Sequence, residues 1–186
     1  MRNLKLAALA LVAMLLAACT SSGPYNLTVD GADTRLMLKG YDPVAYFVAG
    51  KHVLGQPGIK AEHDGVVYRF ASEDNKAAFL REPARFVPQY GGFCSNGIVY
   101  GIPWGGDPDT WKIIDGKLYM FGGEMSRNYF LMDQKKNLEL AERYWNGEIK
   151  GSNAFVQRTW RLAWRVPHYK TGKELADEWQ KRQSAK

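Results

Sequence analysis

Trp111 to Met120 reads WKIIDGKLYM, and this stretch decides the fold class. Two runs rich in β-branched and aromatic residues flank Asp115-Gly116, a pair that accepts the two positive φ angles of a type I′ hairpin turn. The same chemistry occurs upstream, where Ile59 to His63 and Val66 to Phe70 flank Asp64-Gly65. Period-two alternation in that hairpin sets Val66, Tyr68 and Phe70 on one face and Val67 and Arg69 on the other. Helical signals surround both hairpins. Asp42-Pro43 supplies an N-cap and a first-position proline for a helix over Val44 to Val48, which Gly50 stops. Ser72 caps a second helix through Ala77, Phe79 and Leu80 that Pro83 ends, and Ala84 to Val87 forms a further turn. Helical periodicity returns over Ser126 to Asp133 and Lys136 to Trp145. The expected class is α+β: a small antiparallel sheet built from the two Asp-Gly hairpins, covered by short helices, with a helical C-terminal extension.

Composition agrees with a packed domain, since 46% of the 186 residues are hydrophobic and 24% charged. Residues 1–18 stand apart. Two bases, Arg2 and Lys5, precede an unbroken apolar run from Leu6 to Ala18, the layout of an export signal. Its 13 residues are too few to span a bilayer as a mature helix. Leu16-Ala17-Ala18-Cys19 resembles a bacterial lipobox, which implies that Cys19 becomes the acylated first residue of the mature chain. Thr20 and Ser21 after it resemble the sorting default for the outer membrane, facing the periplasm. Loss of Arg2 and Lys5 takes the formal net charge from +6 to +4.

Residues 19–34 are rich in Ser, Gly, Asn and Asp and read as a tether, so the domain is placed at residues 35–150. Gly147 and Gly151 mark the boundary to an extension over residues 151–186. In it, Val156, Trp160, Ala163 and Trp164 share one helical face, while Arg158, Arg161 and Arg165 line another. The expectation is that the tryptophans pack on the domain; contact with a membrane surface is the alternative. Export leaves nucleic acid no place as a partner. A second helix is expected over Gly172 to Arg182.

The chemistry centres on Pro88-Gln89-Tyr90-Gly91-Gly92-Phe93-Cys94. With Cys19 acylated, Cys94 has no disulfide partner, so its thiol must be buried, liganded or reactive. Adjacent glycines place it beside a tight bend.

The residues then take a family's order. KGYDPVAYF at Lys39 to Phe47, YRFAS at Tyr68 to Ser72, NKAAFLREPARFVPQYGGFC to Cys94 and WKIIDGKLYM at Trp111 to Met120 together resemble the YHS domain family, in its exported single-domain branch. The resemblance covers about 110 residues and omits the extension. It implies metal handling, with copper or another transition metal as ligand. The cysteines that metal-handling members carry fall here at Ala45, Ala71 and Asn75, so a multi-thiolate centre is not implied.

Several readings of Cys94 remain. A copper site would combine Cys94 with His63, with His52 and with Met120 or Met125, because thiolate, imidazole and thioether suit that metal. A ligand pocket would use Cys94, His63, Tyr41 and Tyr90, within aromatic walls that include Phe93, Tyr100 and Trp104. A nucleophilic thiol would need a base that no spacing identifies, so the chain is not read as an enzyme. The plainest reading makes Cys94 a small core residue. Asp107 and Asp109 read as a solvated turn rather than a cation site.

Overall fold

The computed structural model describes residues 25–185. The export signal and Cys19 lie outside the described residues. Among the described residues are six strands and eight helices, in an α+β arrangement.

Both Asp-Gly turns form. Asp64 and Gly65 have φ of 52° and 70°, and Asp115 and Gly116 have φ of 49° and 73°, the double positive that type I′ requires. Strand β3 (Gln56–His63) pairs antiparallel with β4 (Val66–Phe70), His63 opposite Val66 and Ala61 opposite Tyr68. Strand β5 (Asp107–Ile114) pairs antiparallel with β6 (Lys117–Phe121), Ile114 opposite Lys117 and Trp111 opposite Met120.

The hairpins do not share one antiparallel sheet. The β5–β6 hairpin is a sheet of its own, while β3 and β4 join β1 (Leu27–Asp30) and β2 (Asp33–Met37) in the order β1-β2-β4-β3. Strands β2 and β4 run parallel, Leu36 beside Val67, so this sheet is mixed. The segment read as a tether is therefore structured from Leu27 onward. Its acids explain a burial that alternation alone does not. Arg69 is 6% exposed, and its guanidinium donates to Asp33 Oδ2 from Nε at 2.9 Å and to Asp30 Oδ2 from Nη1 at 2.5 Å. Lys60 Nζ donates to the other Asp33 oxygen at 2.6 Å. A buried guanidinium needs such charged, hydrogen-bonded partners.

Two hydrophobic cores follow from β6. Its side chains alternate between them: Leu118 and Met120 enter the core of Val44, Tyr46, Val66, Tyr68, Phe70 and Phe79, while Tyr119 and Phe121 enter that of Ile98, Ile102, Phe130, Tyr144 and Ile149. A strand buried on both faces reads as a continuous apolar run, which is why LYMF shows no alternation.

Capping fixes the first helices. Asp42 Oδ1 accepts from the amides of Val44 at 2.8 Å and Ala45 at 3.3 Å and starts α1 (Ala45–Val48). Ser72 Oγ accepts from Asn75 N at 3.2 Å and starts α2 (Glu73–Arg81), which stops before Pro83 opens α3 (Pro83–Phe86). Helix α4 (Ser95–Ile98) follows Cys94, and α5 (Glu124–Met132) and α6 (Gln134–Tyr144) follow β6.

The C-terminal residues complete the second core rather than form a separate appendage. Val166 is buried in it, His168 Nε2 donates to Val99 O at 2.9 Å, and Tyr100 packs its ring against His168 and Tyr169. Helix α8 (Gly172–Ser184) opens with a capping box between Thr171 and Glu174, and Arg182 pairs with Asp133 at 2.9 Å. The orientation of α7 (Ala154–Ala163) reverses the expectation. Arg161 turns inward and pairs with Glu148, and Arg158 lies at the edge of the helix over the partly exposed Trp104 ring, 5.3 Å from its centroid, while Trp160 and Trp164 are 53% and 59% exposed.

Candidate functional site

Glycine-rich loops set the position of Cys94. Tyr90, Gly91 and Gly92 adopt φ of 53°, 58° and 78° in succession, a left-handed turn that only Gly takes without cost. The loop at Gly105 and Gly106 lies against it. A Cβ on Gly106 would sit 2.5 Å from Gly92 O and 2.8 Å from Met120 Cβ, so the backbones pack with no room for a side chain. Asn26 clips the two loops: its amide donates to Gly91 O at 2.8 Å, and its Nδ2 to Gly92 O at 3.2 Å and Gly106 O at 3.1 Å. Cys94 then donates its N–H to Trp104 O at 2.8 Å, and its carbonyl accepts from Gly97 and Ile98 to begin α4.

The thiol is 4% exposed and lies 3.1 Å from Ser126 Oγ in α5. Cys94 and Ser126 form part of the wall of a cleft of about 220 Å³. Tyr100, Trp104 and Tyr129 line it from the domain, and Tyr169, Lys170 and Leu175 close it from the C-terminal segment. Lys170 is held by Glu178. Burial, with Tyr169, Glu178 and Glu174 nearby, pushes the Tyr100 phenol up to about 12, so this hydroxyl stays protonated across physiological pH.

The four residues expected to bind ligand do not converge. Tyr41 sits beside His52, ring centroids 5.7 Å apart, and bridges to Leu54. His63 ends β3 and meets Phe79 and Asp64. Tyr90 is buried between Tyr119 and Trp145, and burial, followed by Tyr119 and Glu142, raises its phenol well above the ordinary value. Only Cys94 reaches the cleft. Of the aromatics proposed as walls, Tyr100 and Trp104 line it. Asp107 and Asp109 lie in strand β5 rather than in a turn, where pairing of Asp107 with Phe121 extends the hairpin; Asp107 pairs with Lys39 at 2.7 Å and Asp109 accepts from Thr110 at 3.2 Å.

The expected histidine donors do not join Cys94, since His52 lies beside Tyr41 and His63 beside Phe79, while Met120 bridges Cys94 through the backbone and sends its side chain into the first core. Among the described residues no group of three or more His, Cys, Asp or Glu side chains is placed to hold a cation. Ala45, Ala71 and Asn75, which the sequence resemblance alone sets against cysteines, do meet, around Asp42. Its Oδ2 accepts from Ala71 N at 2.8 Å and Asn75 Nδ2 at 2.6 Å, while Oδ1 serves the start of α1. Both oxygens of this fully buried carboxylate are thus spent on hydrogen bonds.

Ser126, Tyr129 and Lys170 escaped the sequence reading, because each meets Cys94's cleft only through long-range packing. Chemically, the cleft offers a thiol, a hydroxyl, aromatic faces and, from Lys170, an amine. The hydrogen-bond partner of the thiol is the hydroxyl of Ser126.

No protein-family model, curated protein or solved structure matches this chain.

Proposed function

We propose that the chain is a non-catalytic binding module held at the bacterial outer membrane by acyl chains on Cys19, facing the periplasm, and that the aromatic cleft beside Cys94 takes a small organic ligand. One observation carries the ligand reading: the C-terminal segment folds back so that Tyr169, Lys170 and Leu175 line one side of a cleft of about 220 Å³. The anchor rests on the lipobox-like Leu16 to Cys19, and the module class on the resemblance to the YHS family. Aromatic walls with a few polar groups are the usual make-up of small-ligand sites. Copper, which the resemblance suggests, would need more soft donors than one thiol and one hydroxyl, and the positions that would supply them hold Ala45, Ala71 and Asn75.

The test is native mass spectrometry of the full chain extracted from its own envelope. The expected spectrum shows acyl chains on Cys19 and a bound small molecule near one equivalent, lost in the Tyr129→Ala/Tyr169→Ala variant. A polypeptide carrying nothing in the cleft, with no thermal shift on adding envelope extract, would sink the ligand reading. A copper ion removed by Cys94→Ala would replace it with the metal one.

A further inference from the structure

Helix α7 is inside out. The residues that face the domain are small or polar: Ala154 packs on the second core, Gln157 Nε2 donates to Gly101 O at 3.3 Å, and Arg161 pairs with Glu148. None of its residues is buried. The outward face is apolar, with Phe155 64%, Val156 60%, Trp160 53% and Trp164 59% exposed. Trp160 and Trp164 stack at 4.1 Å between ring centroids, and Trp104, itself 43% exposed, adjoins Phe155 through Arg158, whose guanidinium lies over both rings. A cluster of exposed aromatic side chains of this kind marks an interaction site.

Its position selects the occupant. Trp104 leads directly into Gly105 and Gly106, the loop that Asn26 holds, so the point where the described chain begins lies next to the patch. On the reading that Cys19 is acylated, only six residues separate the lipid from Tyr25, a reach of at most about 20 Å. The patch therefore lies beside the short tether and within its reach of the bilayer. Tryptophan rings favour the membrane–water interface, and Arg158, which makes no ion pair among the described residues, together with exposed Arg165 supplies charge for anionic headgroups. We infer that α7 and Trp104 form a membrane-docking face that lies in the headgroup region of the bilayer carrying the lipid anchor, which fixes the orientation of the domain and of its cleft.

The experiment reconstitutes the full acylated chain into phosphatidylethanolamine vesicles, with and without phosphatidylglycerol, that contain a brominated lipid. The expected result is strong quenching of the fluorescence component that Trp160→Phe/Trp164→Phe removes, greater with phosphatidylglycerol and weaker at high salt. An acylated, reconstituted chain whose Trp160 and Trp164 are not quenched overturns the inference. So does self-association, seen by analytical ultracentrifugation, that the same pair variant abolishes, since the patch would then serve a second copy. If intact mass shows no acyl chain on Cys19, the anchor reading fails separately. Flotation of that unacylated chain with the same vesicles then decides the helix: a loss of about tenfold or more in Trp160→Ala/Trp164→Ala supports docking, and unchanged flotation overturns it. All four residues Phe155, Val156, Trp160 and Trp164 are exposed, so these variants leave the cores intact.

Discussion

Replacing Asp42 by alanine should lower the stability of the whole domain by about 4 kcal/mol. The side chain is fully buried and accepts four hydrogen bonds: from Val44 N at 2.8 Å, Ala45 N at 3.3 Å, Ala71 N at 2.8 Å and Asn75 Nδ2 at 2.6 Å. Loss of the helix cap costs about 1 kcal/mol. The Ala71 amide and the Asn75 side-chain amide are then left without their acceptor, at about 1–3 kcal/mol each. For a chain of this length each kcal/mol lowers Tm by roughly 2–4 °C, so the expected drop is on the order of 10 °C. Asn75→Ala removes one of the four bonds and should cost only about 1 kcal/mol. The double variant should be less destabilised than the sum, because both changes act on one network. Thermal unfolding followed by circular dichroism, with urea titration for the free energies, measures all three. An Asp42→Ala protein within 1 kcal/mol of the parent would refute the account, since water would then be replacing the carboxylate in a site described as closed.

Three further outcomes follow from particular contacts. Hydrogen bonds from Lys60 and then Arg69 hold the Asp33 carboxyl below its ordinary value, so the stability it contributes is present above the unfolded-state pKa and is lost as pH falls through the lowered folded value. Urea unfolding from pH 7 to pH 2.5 should show this acid loss, and Asp33→Asn should flatten it; an unchanged slope would count against the ion-pair cluster. Gly106→Ala should destabilise by at least about 1–3 kcal/mol, because its Cβ would lie 2.5 Å from Gly92 O, whereas Gly147→Ala meets nothing within 4 Å and should be close to neutral in the same thermal scan. Cys94, at 4% exposure, should react with iodoacetamide far more slowly in native protein than in urea, and rapid native alkylation would show that the cleft opens.

Local turn and cap chemistry made much of the fold legible. Asp64-Gly65, Asp115-Gly116, Asp42 and Ser72 each act on neighbours within a few residues, and each does in the structure what its type implies. Strands β1 and β2 escaped notice because both are short and mix polar with apolar residues, and β2's parallel partner β4 comes about thirty residues later. Asp30-Gly31, a third Asp-Gly pair, was the available signal. Periodicity separated the two faces of α7 but did not tell which faces the domain. That choice is made by Glu148, which draws Arg161 inward. For the site, the aromatics Tyr100 and Trp104 were readable from composition beside glycine, whereas the Cys94–Ser126 pair spans 32 residues and arises only from packing of α5 on the turn before α4. His63 and Tyr41 were named for their chemistry alone; the mixed sheet carries His63 elsewhere, and a bridge to Leu54 holds Tyr41 beside His52.

The cleft also has a place in time. Its first wall, around Cys94, Tyr100 and Trp104, is encoded far ahead of its second, around Tyr169 to Leu175. A chain emerging from its N-terminal end can form both Asp-Gly hairpins and the core of Tyr46, Phe70 and Phe79 while the aromatic ring of Tyr100 still faces water. Val166 and His168 seat on the residues beside Tyr100, so the second wall takes its place only once the chain beyond residue 165 has packed onto the domain.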